Sequence, residues 1–176
     1  MASCRTLFCA LRPPWEVASD LWDDFAWLPS EDDRVEPERQ HVTLLAIGAW
    51  PTYPEETVRR IRNACAALAA PSFRVVFDHL VMADRILLKP SETVPALVRF
   101  QRRLASGLAD AGLVAPGRYR FSPHLTLSYR TRAREPVFVP PVSWVVRDFV
   151  LLESLVGRRT QVERGRWTLE EPVQAI

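Results

Sequence analysis

Short apolar segments, alternating or continuous, predict strands along most of the chain. The segments are residues 6–11, 41–50, 73–82, 85–90, 121–130, 143–154 and 160–171. Pro13 and Pro14 close the first segment, because proline cannot donate to a strand ladder. Residues 135–142 contain three prolines and predict a loop.

Two longer segments carry apolar residues at the spacing of one helical face. Residues 54–70 begin with a proline and two glutamates, and their apolar positions recur every three or four residues. Residues 91–112 predict a second helix, which Ser91 or Glu92 could cap. Pro95 fits that helix only if it lies in the first turn.

The remaining stretches decide the fold class. Residues 15–28 are predicted to be helical or irregular, and the acidic residues 29–40, with two prolines, are predicted to form a loop. Strands and helices mix without strict alternation, so we predict an α+β architecture of mostly antiparallel sheet with packed helices. The order of elements also suggests two related halves, related by a pseudo-two-fold axis, in a single domain over residues 1–176.

Charge narrows the class of ligand only slightly. The net charge is +2, and Lys89 is the single lysine, so nearly all basic side chains are arginine. Arginine binds phosphate or carboxylate in bidentate fashion, which allows an anionic ligand without requiring one. The arginine clusters at 59–62, 99–103 and 130–134 could steer nucleic acid, although solvated helix faces explain two of them more simply.

The cysteines and the hydropathy pattern suggest a compartment. Cys4, Cys9 and Cys65 lack the spacing of a metal site and lie in apolar or alanine-rich surroundings. We therefore predict neither a disulfide framework nor a zinc site, and a reducing cytoplasm as the location. No apolar run approaches the roughly 20 residues of a membrane span, and residues 1–14 make a poor signal peptide.

Two of the three histidines, His41 and His124, begin the same phrase, His-x-Thr-Leu. In a strand each of these histidines shares a face with the threonine two residues later, while the aliphatic residues between point into the core. One such phrase means little, because histidine and threonine are ordinary strand residues. The chance that two of three histidines are followed by Thr and Leu at the same spacing is on the order of one in ten thousand, which favours a functional pair.

Two strands lying side by side would bring four polar groups into one groove: His41, His124, Thr43 and Thr126. Two imidazoles that titrate near neutrality suit acid–base cleavage of a phosphodiester, especially a strained 2′,3′-cyclic phosphate. One imidazole would take a proton from the attacking water, and the other would protonate the departing ribose oxygen. The threonine hydroxyls would hold the non-bridging oxygens, and no metal is needed.

The third histidine, His79, carries no such phrase. Its neighbour Asp78 is the expected hydrogen-bond partner, so a structural role is favoured over a role in a metal site.

The sequence resembles the two-histidine (2H) phosphoesterases, and within them the bacterial RNA 2′,3′-cyclic phosphodiesterases, also called 2′-5′ RNA ligases. The matching pieces are LFCALRPP at 7–14, VEPERQHVTLLAIGAW at 35–50 and FSPHLTLSY at 121–129. The resemblance implies two pseudo-symmetric α+β lobes around a central groove. It also implies that His41 is the proton donor and His124 the acceptor, with Thr43 and Thr126 binding phosphate. The implied chemistry uses neither metal nor ATP.

The resemblance fails at two positions that bear on the substrate. Family members carry an aromatic residue five places after the first histidine and an arginine five places after the second. This chain has Ala46 and Tyr129 there, with Arg130 one place late. Candidate substrate contacts are Tyr129, Arg130, Tyr119 and Phe8. Candidates for stacking a base, each with core packing as the alternative, are Trp15, Trp22, Trp27, Trp50 and Tyr119. An acidic insertion at 23–34 could partly cover the groove.

Two classes of function follow from these residues. The first is an enzyme that opens terminal 2′,3′-cyclic phosphates of RNA or of small cyclic nucleotides to 2′-phosphates, with weak reverse 2′-5′ joining. The second is a catalytically inactive RNA- or nucleotide-binding module of the same fold, with a salt-dependent affinity. We favour the enzyme because the four-residue set is intact. We expect a monomer without membrane attachment or cofactor.

Overall fold

The computed structural model describes residues 4–28, 33–115, 120–129 and 134–171. The described strands are β1 (Arg5–Leu11), β2 (Val42–Trp50), β3 (Phe73–Met82), β4 (Ile86–Lys89), β5 (Leu125–Ser128), β6 (Arg134–Val146), β7 (Asp148–Leu155) and β8 (Thr160–Thr168). The described helices are α1 (Trp15–Asp24), α2 (Glu55–Ala66) and α3 (Pro95–Asp110), with a short 3₁₀ turn at Pro37–Arg39.

The strands form one antiparallel sheet with a two-fold pattern. Their hydrogen-bonded order is β6-β3-β4-β5-β2-β1-β7-β8. Exchanging β2 with β5, β1 with β4, β7 with β3 and β8 with β6 gives the same order counted from the other edge of the sheet. We call β1, β2, β7 and β8 the first half-sheet, and β3, β4, β5 and β6 the second half-sheet. The predicted α+β fold with two related halves is confirmed.

Aliphatic residues of both half-sheets and the buried faces of the helices make one core. In the two phrases, Val42, Leu44, Leu125 and Leu127 are almost completely buried, as the alternation predicts. The helices α2 and α3 lie on this side of the sheet, and Gln101 of α3 donates to the carbonyl of Leu44. The polar residues of each phrase therefore point to the opposite face of the sheet.

The prediction of a loop at 135–142 is wrong, because these residues lie within β6. Since β6 is an edge strand paired only with β3, its prolines need not interrupt the sheet. The predicted strand at 143–154 is also wrong as a single element. It breaks at Arg147, where β6 ends and β7 begins. β6 is the first strand of the order and β7 the seventh of eight, so the sheet must curve to bring the end of β6 and the start of β7 together at Arg147.

The prediction for the start of α3 is also corrected. Neither Ser91 nor Glu92 caps the helix; Val94 occupies the cap position and no side chain bonds there. Ser91 instead donates to the carboxylate of Asp78 through its backbone N–H and its hydroxyl, both at 2.8 Å. None of the described helices is long and apolar enough to cross a membrane.

Candidate active site

The two His-x-Thr-Leu phrases meet where the half-sheets join. The central residues of the phrases, Val42 and Leu125, form the described pair between β2 and β5. Continued by one residue in each direction, this antiparallel register places each histidine opposite the threonine of the other phrase. The pairs are His41 with Thr126 and Thr43 with His124. Residues opposite each other in this way have Cβ atoms about 5 Å apart, so the four predicted residues are brought together.

Both imidazoles are held by the same backbone contact. Nδ1 of His41 lies 2.7 Å from the carbonyl oxygen of Arg39, and Nδ1 of His124 lies 2.8 Å from that of Ser122. A carbonyl only accepts hydrogen bonds, so each Nδ1 must carry a proton and donate it. Each Nε2 is therefore left for chemistry: it is a base in the neutral ring and an acid in the charged one.

The surroundings of His41 disfavour its charged form. Its half-buried ring lies against Phe8, with the ring centroids 5.0 Å apart. Burial is the main cause that lowers the pKa of His41 to about 4. The hydrogen bond to the Arg39 carbonyl opposes this shift, and the charges of Arg12, His124 and Arg39 add to it. At pH 7 the ligand-free protein therefore holds His41 neutral. A bound anion would shift this balance toward the charged form.

A cavity of about 480 Å³ opens beside His41 and Thr43. Its lining includes Phe8, Ala46, Gly48, Tyr129, Ser154 and Gln161. Ala46 takes the position at which the family carries an aromatic residue, and its small side chain leaves the cavity open on that side.

Gln161 and Arg12 belong to the site, although the sequence did not single them out. The carbonyl oxygen of Gln161 accepts from Arg12 at 3.5 Å, and its amide nitrogen lies 3.4 Å from Nδ1 of His41, a contact between two donors and not a hydrogen bond. Gln161 pairs with Ser154 of β7 and shares its face. The alternation within β8 was readable from the sequence, but its pairing with β7 was not. Gln161 thus lies between the guanidinium of Arg12 and the imidazole of His41.

The predicted substrate contacts have different outcomes. Phe8 lies against His41, and Tyr129 lines the cavity with 42% of its surface exposed. The predictions for Tyr119 and Arg130 lie outside the described residues.

The tryptophan candidates lie elsewhere. Trp22 stacks beneath the guanidinium of Arg34, and the ring of Trp50 covers Gly48 so closely that a Cβ there would lie 2.7 Å away. Trp15 and Trp27 are exposed, but neither lines the cavity beside His41.

The end of the acidic insertion pairs with the end of β5. The backbone of residues 33–35 pairs with residues 127–129, through Val35 N–H to the Leu127 carbonyl and Tyr129 N–H to the Asp33 carbonyl, both at 2.9 Å. Arg34 anchors this segment to α1 by donating to the carbonyl of Trp22. Residues 29–32 lie outside the described ranges.

The described part of the chain contains no group of three or more His, Cys, Asp or Glu side chains that could hold a metal ion. The groups that the site does bring together are the two imidazoles and the two hydroxyls of the paired phrases.

The fold and the paired phrases define a two-histidine phosphoesterase. A model of the 2′-5′ RNA ligase superfamily matches residues 13–158, and the chain belongs to that superfamily. No curated protein sequence matches this chain.

Solved structures share the fold at low identity. A structure described as a phosphoesterase superposes with a TM-score of 0.76 at 21% identity, over 95% of this chain and 99% of that one. Escherichia coli LigT in complex with 3′-AMP gives 0.75 at 24% identity, over 94% and 98%. A protein of Thermus thermophilus gives 0.72 at 23% identity, also over 94% and 98%.

Proposed function

We propose that this protein is a metal-independent phosphodiesterase that opens 2′,3′-cyclic phosphates of RNA or nucleotides to 2′-phosphates. The observation that carries the proposal is the pair of imidazoles across the Val42–Leu125 junction. Each is fixed by a backbone carbonyl in the tautomer that presents Nε2 for proton transfer. Opposed acid and base groups on one face are what in-line displacement at phosphorus requires.

The reaction assigns one role to each phrase. Neutral His124 accepts a proton from a water molecule as the water oxygen bonds to phosphorus. The bond between phosphorus and the ribose 3′ oxygen breaks, and that oxygen takes a proton from Nε2 of charged His41. The hydroxyls of Thr43 and Thr126 donate to the non-bridging oxygens as negative charge builds there. A 5′-hydroxyl in place of water would give weak 2′-5′ joining.

The donor role of His41 depends on the substrate. Because its pKa lies at about 4 in the ligand-free protein, His41 is uncharged at neutral pH. The negative charge of a bound phosphodiester favours the imidazolium, so substrate binding would charge the donor where it is needed.

Nucleotide ligands of a similar protein support this substrate class. E. coli LigT has been crystallised in complex with 3′-AMP, ATP, NADP+ and phosphate. A nucleotide phosphate would likewise suit the four polar groups of this site. We propose RNA with a terminal cyclic phosphate, or a small cyclic nucleotide, as the partner of this chain.

The test is product identification with EDTA-treated protein. The substrates are the 2′,3′-cyclic mononucleotides and a short RNA ending in a cyclic phosphate, and the products are separated against 2′- and 3′-phosphate standards. We expect the 2′-phosphate alone, and none from a His41→Ala protein purified identically, which controls for contaminating nuclease. A 3′-phosphate product would contradict the assigned leaving oxygen. No product from folded protein would favour the inactive binding module.

A further inference from the structure

A row of side chains runs from His124 across the second half-sheet. The register of β4 and β5, continued by one residue, places Lys89 opposite His124. Lys89 is paired with His79 of β3, and His79 with Phe138 of β6. Strands lie about 4.8 Å apart, so the row extends roughly 14 Å from the imidazole of His124.

This row lies on the same face as the candidate active site. Leu80 and Leu88, which adjoin His79 and Lys89 in their strands, are buried in the core with the helices. Successive residues of a strand point to opposite faces, so His79 and Lys89 point away from the core. The four side chains therefore form a continuous strip beside the site.

The far end of the row is an exposed aromatic platform. Phe138 has 74% of its surface exposed, and its ring stacks on the imidazole of His79 with centroids 5.2 Å apart and planes 20° apart. Asp78, the partner expected for His79, is bonded to Ser91 instead. A large apolar ring presented on a polar face is how proteins without sequence preference hold a single-stranded base.

Lys89 lies between the platform and His124. It is the single lysine of the chain, and no acidic partner is found for it among the described residues. An unpaired ammonium beside a phosphate site suits a second phosphate, since each phosphate neutralised releases a counterion.

The first half-sheet has no such platform. The register of β1 with β2, continued by one residue, and that of β1 with β7, continued by two, give the row His41, Arg12, Asp148 and Thr168. Arg12 contacts Gln161, and Asp148 accepts from Arg166 at 2.7 Å. This row has no aromatic side chain on which a base could stack, although the charge of Arg12 meets only the neutral amide of Gln161.

We propose that the substrate is an RNA strand whose penultimate nucleotide lies across the second half-sheet, with its base on Phe138 and the connecting phosphate at Lys89. This rests on the proposed function for the placement of the terminal cyclic phosphate between the histidines. A base lies nearer than 14 Å to its own 2′,3′-phosphate, so the platform suits the preceding nucleotide. The strip thus selects oligonucleotides over mononucleotides.

The first test compares kcat/KM for a 2′,3′-cyclic mononucleotide with that for a tetranucleotide ending in the same cyclic nucleotide. Stacking on an aromatic side chain contributes about 1–3 kcal/mol per base, so Phe138→Ala should lower the tetranucleotide-to-mononucleotide ratio roughly tenfold. Phe138→Trp should keep the ratio. The matched control is Val137→Ala, which removes an adjacent exposed side chain on the other face of β6. An unchanged ratio in Phe138→Ala would overturn the proposal.

The second test separates this proposal from the proposed function. Affinity for a tetranucleotide ending in a 2′-phosphate is measured by fluorescence anisotropy over a range of salt concentrations. Lys89→Ala should reduce the salt slope by about one, as expected for one lost phosphate contact. Arg102→Ala, an exposed cation on α3, is the charge-matched control. Weaker binding by Phe138→Ala in a protein without turnover would support the platform and refute the catalytic function. Turnover with unaltered binding would refute the platform alone.

The same variants test whether a second copy of the chain is the occupant. If Phe138 on this edge strand mediates self-association, Phe138→Ala would shift the mass measured by light scattering and leave RNA binding unchanged, which would overturn the proposal.

Discussion

The two halves of the molecule place their histidines alike but surround them differently. Both rings donate Nδ1–H to the carbonyl two residues earlier, and both phrases flank the Val42–Leu125 pair. Phe8 packs against the ring of His41, and the positive charge of Arg12 disfavours the charged form of that ring. Beside His124 lies Lys89, at the start of an exposed strip. Symmetry of the backbone supplies two equivalent nitrogens, and asymmetry of the neighbours would let them perform the opposite steps of the proposed reaction.

Two histidines can serve as an acid and a base only if their surroundings differ. Two titratable groups divide the roles of acid and base when their environments separate their affinities for protons. In the free protein His41 is in its neutral form, so its proposed role as donor would require a bound phosphate. The site would thus become an acid–base pair only when it is occupied.

The largest expected effects come from removing either imidazole. In the proposed reaction each histidine transfers a proton that the other cannot, so His41→Asn and His124→Asn should each lower kcat/KM for a cyclic mononucleotide by roughly 10²–10⁴-fold. The double variant should be little worse than either single one, since the pair acts as a unit. Steady-state kinetics with circular dichroism as a check on folding measures this. Val156→Ala, in the turn after β7, is the control. Full rate in either single variant would contradict the proposal that the two histidines act as an acid–base pair.

Removing a hydroxyl should have the next largest effect, and it should be similar in both halves. Thr43→Val and Thr126→Val keep the shape of the side chain but lose the donor to a non-bridging oxygen. We expect kcat to fall by roughly 10²-fold in each, and Thr→Ser variants to retain most of it. A large loss in one half only would show that the phosphate does not lie on the pseudo-two-fold axis.

How much the sequence predicted depended on whether a feature was local. The face of each phrase followed from alternation, so the burial of Val42 and Leu125 and the exposure of the flanking polar groups were predictable. The strand through Pro140 and Pro141 was missed because proline content indicates a loop, and only the edge position of β6 makes those prolines tolerable. The row from His124, which precedes β5, to Phe138 joins residues of three further strands. Such a register comes from long-range pairing that local pattern does not specify.

A smaller effect concerns pH and stability. The pKa of His41 is about 4 in the folded protein and near the ordinary 6.5 in the unfolded chain, so the unfolded chain binds more protons between those values. The contribution of the neutral His41 ring to the free energy of unfolding is complete above pH 6.5 and is lost as pH falls toward 4. We expect wild type to lose about 2 kcal/mol relative to His41→Asn between pH 7 and pH 4, after allowance for the partial exposure of the ring. Urea unfolding at several pH values measures it, and a constant difference would contradict the burial argument.

The smallest effect tests the cation beside His41. Arg12 lowers the pKa of His41 by charge repulsion, so Arg12→Gln should raise that pKa, as followed by NMR titration of the ring. Activity on a mononucleotide should change only a few-fold, because Arg12 acts through His41. An unchanged titration of His41 would show that Arg12 does not lower the pKa of this ring.

The central claim is that one phosphate lies between the two histidines, and a crystal structure with a bound nucleoside 2′-monophosphate tests it most directly. The account predicts that Nε2 of His41 and Nε2 of His124 both lie about 3 Å from oxygens of a single phosphate, with the hydroxyls of Thr43 and Thr126 donating to the same group. A phosphate bound by only one phrase, or a nucleotide bound elsewhere on the protein, would contradict it.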